Sequence, residues 1–130
     1  YDVVKKKLSI NQINEDIRYC LLNSESMSAS ELKKKIYFSG NPLWYRGYMM
    51  ESRYYNKITE PEVDEILKYF KAKQIMFGHT ELEEIRFLYQ KKLCALNVPM
   101  GYVQFRPQIL LIVGDQFYRC LLNGEKEYIK

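Results

Sequence analysis

Apolar residues recur at helical spacing in the first half of the chain and in short continuous runs in the second half. The segment "LSINQINEDIRYCLLN" predicts an amphipathic helix, with Ser9 as its N-cap and Gln12 three residues later, as a capping box requires. A second helix is predicted at residues 30–38, after a polar loop. The predicted apolar side of the first helix consists of Ile10, Ile13, Ile17, Cys20 and Leu21.

The segment "ITEPEVDEILKYFKAK" predicts the clearest helix of the chain. Thr59 caps it, Glu62 completes a capping box, and Pro61 lies in the first turn, where a missing N–H costs nothing. The predicted apolar side of this helix consists of Ile58, Val63, Ile66, Leu67 and Phe70.

The second half of the chain is typical of β-strands. "QIMF" predicts a buried strand that ends at "GHT", and "IRFLYQ" and "KLCALNV" predict two more. "QILLIVGDQFYRCLLNGEKEYI" predicts a meander of three strands, with turns at Gly114–Asp115 and Asn123–Gly124. We therefore expect an α/β fold, with helices followed by mostly antiparallel strands, in one domain over residues 1–130.

Composition and charge exclude several classes of protein. The hydrophobic fraction of 47% and the charged fraction of 28% are those of a soluble globular protein. A net charge of +4, from 20 basic and 16 acidic residues, is too small for a dedicated nucleic-acid binder. No stretch reaches the roughly 18 apolar residues that a membrane helix needs. No signal peptide is visible, and the compartment stays open because the chain starts in mid-pattern at Tyr1 and is expected to belong to something longer.

The three cysteines, Cys20, Cys94 and Cys120, are odd in number and far apart. Because no CxxC pair exists, a zinc ribbon and a thioredoxin-like motif are excluded. We expect buried, reduced thiols.

His79 is the only histidine of the chain, and it directly follows a predicted strand. Ligands of α/β sheets bind at the carboxyl ends of strands, so this position suits a ligand. Gly78 lets the backbone approach a neighbour closely, and the Thr80 hydroxyl can orient one. A lone histidine is nevertheless often structural, and one histidine does not hold a metal by itself. The residues alone leave both interpretations open.

The acidic residues after His79 are candidates for further metal ligands. Their alternation with Leu82, Ile85 and Phe87 predicts instead that they point to solvent. They are Glu81, Glu83 and Glu84.

The loop "SGNPLWYRGY" carries more aromatic residues than a merely solvated loop needs. Arg46 follows Trp44 and Tyr45 and precedes Gly47 and Tyr48. A guanidinium held against aromatic walls is suited to bind a phosphate through two parallel hydrogen bonds. A surface arginine stacked on Trp44 or Tyr45 is the other interpretation, and both stay open at this point.

Taken together, "NPLWYRGY", the helix after it and "QIMFGHTELEEIRFLYQKKLCALNVP" resemble the C-terminal part of a calcineurin-like metallophosphoesterase. The similarity is to bacterial, Shewanella-like relatives of the serine/threonine protein phosphatases. "LSINQIN" also resembles the helix that follows the HGG segment of that family, so the resemblance spans nearly the whole chain.

The resemblance implies the C-terminal half of a four-layer α/β/β/α sandwich that hydrolyses phosphomonoesters by attack of a metal-bound hydroxide. It implies that His79 binds one of two divalent metal ions (manganese, iron or zinc) and that Arg46 binds the substrate phosphate. It also implies that Trp44, Tyr45 and Tyr48 form the wall of the substrate site. The substrate would be a phosphorylated protein or a small phosphoester. Asn97 and Met100 lie near the loop that borders the site in the relatives.

The family's DxH, GDxxDRG, GNH and HGG segments are absent from this chain. The only "GD" is Gly114–Asp115, at a predicted turn, and no DRG follows it. The resemblance therefore implies a C-terminal portion that lacks the other metal ligands and is inactive by itself. We expect such a portion to associate with a second copy or with the missing half, because uncovered strands and apolar faces recruit partners.

A non-catalytic domain that binds a protein or single-stranded nucleic acid is the alternative. Tyrosines interleaved with lysines suit stacking on bases. Most of the 12 tyrosines fall at core-like positions of the predicted helices and strands, which makes nucleic acid the less favoured partner.

Overall fold

The computed structural model describes residues 2–28, 45–53, 55–102 and 104–129. The chain divides into two compact units, Tyr1–Tyr69 and Phe70–Lys130. Each unit is described by itself. The prediction of one domain over residues 1–130 stays a prediction, and the helix predicted at residues 30–38 lies outside the described residues.

The first unit contains helices α1 (Asp2–Lys5) and α2 (Ile10–Leu22). The capping box of α2 forms as predicted: Gln12 N donates to Ser9 Oγ at 3.2 Å, and Ser9 N donates to Gln12 Oε1 at 2.9 Å. Cys20 is buried. The prediction that Ile10 and Leu21 belong to the buried side is wrong, since they are 55% and 56% exposed. Ile10 is the first residue of the helix, and Leu21 points about 100° around the helix axis from Cys20.

Helix α3 (Glu60–Phe70) begins at the predicted cap. Glu62 Oε2 accepts hydrogen bonds from Thr59 N at 2.8 Å and from Thr59 Oγ1 at 2.9 Å. The bond from the Thr59 backbone lowers the pKa of Glu62, because it stabilises the ionised carboxylate. Val63 and Leu67 are buried, so the predicted apolar side of this helix is confirmed at its centre.

The first sheet of the second unit has the strand order β1 (Ile75–Phe77), β3 (Leu93–Ala95), β2 (Arg86–Leu88). β1 pairs parallel to β3, with Ile75 opposite Leu93, and β2 pairs antiparallel to β3. β3 is buried along its whole length, as its uninterrupted apolar sequence leads one to expect for a central strand. The three predicted strands are confirmed, each shorter than its predicted segment. The prediction that the first of them is buried is wrong, since Ile75 and Phe77 are half-buried and Met76 is 42% exposed.

The second sheet is the predicted antiparallel meander of β4 (Gln108–Val113), β5 (Gln116–Leu121) and β6 (Lys126–Tyr128). Gly114–Asp115 forms a two-residue hairpin loop between Val113 and Gln116, and Gly114 has φ 60°. Glycine meets this requirement without steric cost. The second predicted turn contains Gly124, whose φ is 85°.

One hydrophobic core joins the two sheets of this unit. Phe87 of β2 and Phe117 of β5 meet edge to face, with ring centroids 4.9 Å apart. The buried centre consists of Ile85, Cys94, Val98 and Ile129, against which Phe87, Leu96, Leu110 and Phe117 pack. The α/β class, with helices followed by a mostly antiparallel set of strands, is therefore confirmed. Among the residues that the structure describes, no helix has the length and apolar character that a membrane span requires.

Candidate functional site

His79 lies where the sequence predicts it, two residues after the end of β1. Because β1 and β3 are parallel, their carboxyl ends share one edge of the sheet. The segments after both strands are joined there: Leu96 N donates to Phe77 O at 2.9 Å, and Leu82 N donates to Asn97 O at 3.0 Å. This edge is where α/β sheets bind ligands.

The backbone of His79 has φ 69°, in the left-handed region, and its side chain is exposed. Residues other than glycine rarely adopt this conformation, and it costs on the order of 1–3 kcal/mol. Such strain persists only where the surrounding structure imposes it. Five other described residues besides glycine share this conformation, so the positive φ by itself assigns no role to the imidazole.

The neighbour of Gly78 among the described residues is Asn97, and the role predicted for this glycine beside a ligand stays a prediction. A Cβ at this position would meet Asn97 Oδ1 at 3.8 Å, an ordinary contact. Close approach of the backbone to Asn97 therefore does not require glycine here.

Thr80 is buried, and its Oγ1 has no hydrogen-bond partner among the described residues. A buried hydroxyl without a partner costs about 1–3 kcal/mol, so native structures rarely keep one without a reason. The orphaned hydroxyl lies next to His79, at the edge where a ligand is expected. This observation fits a polar group that completes the site.

The three glutamates after His79 are exposed, as predicted. Glu84 forms an ion pair with Arg119, with Oε1 and Nη2 3.2 Å apart. Within the described part of the chain, no group of three His, Cys, Asp or Glu residues lies close enough to hold a metal ion. The described residues therefore do not by themselves bring three such side chains together around a metal ion.

The loop around Arg46 belongs to the first unit. Arg46 O accepts hydrogen bonds from Met49 N at 2.9 Å and Met50 N at 3.1 Å, and Gly47 O accepts one from Ile58 N at 2.8 Å. The last bond ties the loop to the residue before the cap of α3. Arg46 is half-buried, with its Nε buried, so the guanidinium is held by its surroundings and is not a freely solvated surface group.

Tyrosines surround the backbone of this loop. The ring of Tyr45 packs edge to face on Tyr48, with centroids 5.0 Å apart, and is tilted against Tyr55 at 5.2 Å. The Tyr45 hydroxyl donates to Asn56 O at 3.3 Å. Burial raises the pKa of Tyr48, which keeps its hydroxyl protonated at neutral pH.

Of the predicted wall residues, Tyr45 and Tyr48 lie together in the aromatic cluster, and Trp44 lies outside the described residues. Sequence reasoning missed Tyr55. A bridge between Ser52 and Tyr55 places it, with Ser52 N donating to Tyr55 O at 2.9 Å. No periodic pattern signals this contact.

Gly47 is required by the Tyr45 ring. A Cβ at Gly47 would lie 2.1 Å from Tyr45 Cζ, far inside van der Waals contact. We predict that Gly47→Ala displaces this ring and lowers the free energy of unfolding by about 1–3 kcal/mol, the usual cost of overpacking. Urea denaturation followed by tyrosine fluorescence measures the change.

Gly101→Ala is the matched control for this prediction. Among the described residues, no atom outside its chain neighbours lies within 4 Å of a Cβ at that position. Both substitutions reduce the entropy of the unfolded chain equally, so the difference between them isolates the collision. Equal free energies of unfolding of the two variants would contradict the predicted collision between a Cβ at Gly47 and the Tyr45 ring.

The prediction of core-like positions for most tyrosines is wrong. None of the nine tyrosines within the described ranges is fully buried. The half-buried ones are Tyr45, Tyr48, Tyr55, Tyr89 and Tyr118, and the exposed ones are Tyr19, Tyr69, Tyr102 and Tyr128. The ring of a tyrosine can cover apolar neighbours while its hydroxyl reaches a polar partner, so full burial is not required.

The cysteines are free thiols, with Cys20 and Cys94 buried and Cys120 half-buried. Burial raises the pKa of Cys94 to about 11, so this thiol is protonated and unreactive at neutral pH. The prediction of buried, reduced thiols is confirmed for Cys20 and Cys94.

No protein-family model matches the chain, and no curated protein does. Solved structures do match. The crystal structure of the cold-active protein-tyrosine phosphatase of a psychrophilic Shewanella species is similar over 99% of this chain, with 26% identity and a TM-score of 0.77. A point mutant of a cold-active protein tyrosine phosphatase matches with 25% identity and a TM-score of 0.73, and a further structure of such an enzyme matches with 26% and 0.74.

The chain spans only 38% of the first two of these phosphatases and 36% of the third. It therefore shares the fold of part of a phosphatase, and the relationship to phosphoester hydrolases is at the level of the fold. The predicted relationship to a bacterial phosphatase is confirmed in this coarser form. The assignment to the calcineurin-like metallophosphoesterases stays a prediction.

Proposed function

We propose that the chain is the C-terminal portion of a metal-dependent phosphoester hydrolase of the calcineurin-like type. The observation that carries the phosphoester-hydrolase part of this proposal is the match of 99% of the chain to part of a protein-tyrosine phosphatase structure. The metal dependence rests on the resemblance of the segment around His79 to the calcineurin-like family. The position of His79 at the carboxyl edge of the parallel β1–β3 pair supports it independently.

His79 is the proposed metal ligand of this portion. Two divalent metal ions (manganese, iron or zinc) would activate water and neutralise charge on the phosphate when bound. The buried Thr80 hydroxyl beside His79 is suited to hydrogen-bond a metal ligand and so to orient it. The loop holds the imidazole outward in a fixed backbone conformation, which reduces the entropy lost when a ligand binds.

Arg46 is the proposed phosphate-binding residue. Its guanidinium presents donors in a planar fork that matches two phosphate oxygens. The adjoining rings of Tyr45, Tyr48 and Tyr55 give the loop an aromatic surface, which suits a substrate with an aromatic ring. We propose an aryl phosphate, phosphotyrosine in a protein or a small analogue, as the first substrate class to test.

A phosphatase assay tests the proposed function. The protein, in the length that its gene encodes, is expected to release phosphate from an aryl phosphate when manganese is present and to lose this activity to a chelator. The 130-residue chain alone is expected to show no turnover above a His79→Ala control, because its described donor set is incomplete. The proposal is contradicted if the encoded protein shows no turnover with manganese, with iron or with zinc, each tested separately.

We further propose that the chain associates through β4, with a second copy or with the rest of a longer protein. Among the described strands β4 pairs with β5 alone, and its sequence QILLIV carries no charge. Ile109, Ile112 and Val113 are 58%, 45% and 55% exposed. An exposed apolar edge strand is a template for pairing with another chain.

We predict that Ile112→Lys lowers the mass of the chain in light scattering to that of a monomer, since a charge on the edge opposes pairing. Leu122→Lys, at a residue that is 78% exposed and follows β5, is the control and leaves the mass unchanged. A wild-type chain that is already monomeric at high concentration contradicts the proposed association.

A surface of the second unit favours the alternative of a binding domain without chemistry. The rings of Tyr118 and Tyr128 meet with centroids 5.7 Å apart, and Lys91 Nζ lies 5.8 Å from the Tyr128 ring. Aromatic and basic groups side by side suit stacking on bases. The two functions are distinguished by the coding sequence upstream of Tyr1, where the hydrolase requires DxH and GNH segments.

A further inference from the structure

The loop between β1 and β2, residues 78–85, is fixed from the opposite sheet by two polar side chains. Gln108, at the start of β4, is buried. Its Oε1 accepts a hydrogen bond from Ile85 N at 3.0 Å, and its Nε2 donates to Glu83 O at 3.4 Å. One amide thus holds the backbone on both sides of Glu84.

Arg119 of β5 holds the next backbone group. Its Nε donates to Ile85 O at 2.6 Å, and its side chain is only 16% exposed. Its Nη2 also pairs with Glu84 Oε1 at 3.2 Å. Gln108 and Arg119 therefore satisfy both the donor and the acceptor of Ile85, and we name these two side chains the meander clamp.

The first part of the same loop has its own fixed points. Leu82 N donates to Asn97 O at 3.0 Å, and the side chains of Thr80 and Leu82 are buried. The loop is thus attached at Leu82 and at Ile85, and its residues between β1 and Thr80 are left to face outward. His79 is the strained residue of this stretch, with φ 69°.

We propose that Gln108 and Arg119 are positioning residues for His79. By fixing Glu83–Ile85 to the meander, the clamp prevents the loop from relaxing and so maintains the left-handed backbone that presents the imidazole. Loss of the clamp releases the attachment at Leu82 as well, because a short loop cannot relax at one end only. The consequence for metal binding rests on the proposed function, whereas the coupling between clamp and loop does not.

Hydrogen exchange at the Leu82 amide tests the coupling. This amide bonds to Asn97, not to the clamp. We expect Gln108→Leu to raise its exchange rate at least tenfold relative to that of the Ile129 amide, which donates to Phe117 O within the meander. The ratio cancels any unfolding of the whole unit. Gln104→Leu, the same change at an exposed glutamine, is the matched control and leaves the ratio unchanged.

Arg119→Lys provides a second variant. Lysine keeps the positive charge beside Glu84 but lacks the planar fork that bonds Ile85 O while it pairs with the carboxylate. The ratio is expected to rise in this variant too. A ratio within twofold of wild type in both variants overturns the proposal.

Activity distinguishes the clamp from the proposed function. In the encoded protein, Gln108→Leu is expected to raise the half-saturating manganese concentration about tenfold, with kcat restored at excess metal. This is the low end of the effect of losing a direct hydrogen-bond partner of a metal ligand, because Gln108 acts on His79 only through the loop. A merely destabilising change lowers kcat without this shift. If the exchange ratio rises while His79→Ala leaves hydrolysis unchanged, the clamp stands and the proposed function fails.

Discussion

Replacement of His79 by alanine in the encoded protein is expected to lower kcat/KM for an aryl phosphate by at least about 100-fold. Loss of an outer-shell partner of a metal ligand already costs roughly 10–100-fold, and loss of the ligand itself costs more. A 100-fold loss corresponds to about 2.7 kcal/mol of transition-state stabilisation. The measurement is steady-state kinetics at saturating manganese, together with the metal content of the purified variant.

His79→Gly separates this loss from misfolding. Glycine adopts the positive φ of this position at no steric cost, so the loop keeps its conformation without the imidazole. Glu81→Ala, two residues on and exposed, is the matched control and is expected to keep activity within about twofold. If both His79 variants retain activity within threefold of wild type, His79 is not a metal ligand.

The features of this fold that depend on residues close together along the chain could be predicted from the sequence. The capping box at Ser9–Gln12 is a local hydrogen-bond pattern, in which each side chain meets a partner three residues away. Of the box predicted at Thr59–Glu62 only the Glu62 half forms, because the Thr59 hydroxyl donates to the Glu62 carboxylate and does not accept from the Glu62 backbone. The turn at Gly114 is equally local, because only its two central residues decide the hairpin. The position of His79 after a strand follows from the length of one apolar run.

What the sequence could not show are the contacts between distant residues. The parallel pairing of β1 with β3 joins residues 18 positions apart, since Ile75 lies opposite Leu93. Gln108 is the first residue of a strand, and a polar residue at that position is expected to be exposed to solvent. It is instead buried against Ile85, 23 residues earlier in the chain. Polar side chains that satisfy a remote backbone leave no periodic signal.

The left-handed conformation of His79 shows the same limit at a single residue. Glycine precedes it and would have been the natural candidate for an unusual backbone. The structure instead places the positive φ at the histidine, which adopts this conformation more often than most residues other than glycine. No hydrophobic period or turn motif marks which of the two residues takes it.

Arg46→Lys is expected to lower kcat/KM of the encoded protein by about 100- to 1,000-fold, even though the charge is conserved. Lysine offers a point charge where the guanidinium offers two parallel donors, and removing one preorganised donor from a developing charge has an effect of this size. Because the guanidinium binds phosphate in the ground state as well, KM should rise while kcat falls. Inhibition by inorganic phosphate should weaken at least tenfold, which reports the binding part separately.

Arg53→Lys is the matched control for this variant, at an exposed arginine of the same unit. Arg46 is half-buried, so its substitution could also disturb the loop that Gly47 and Ile58 hold together. Tyrosine fluorescence tests this, because displacement of the loop changes the contact between the rings of Tyr45 and Tyr48. A tyrosine fluorescence spectrum like that of wild type, together with lost phosphate inhibition, assigns the effect to the guanidinium. If inorganic phosphate inhibits the Arg46→Lys enzyme as strongly as it inhibits wild type, Arg46 does not bind phosphate. It is then a structural arginine of an aromatic loop.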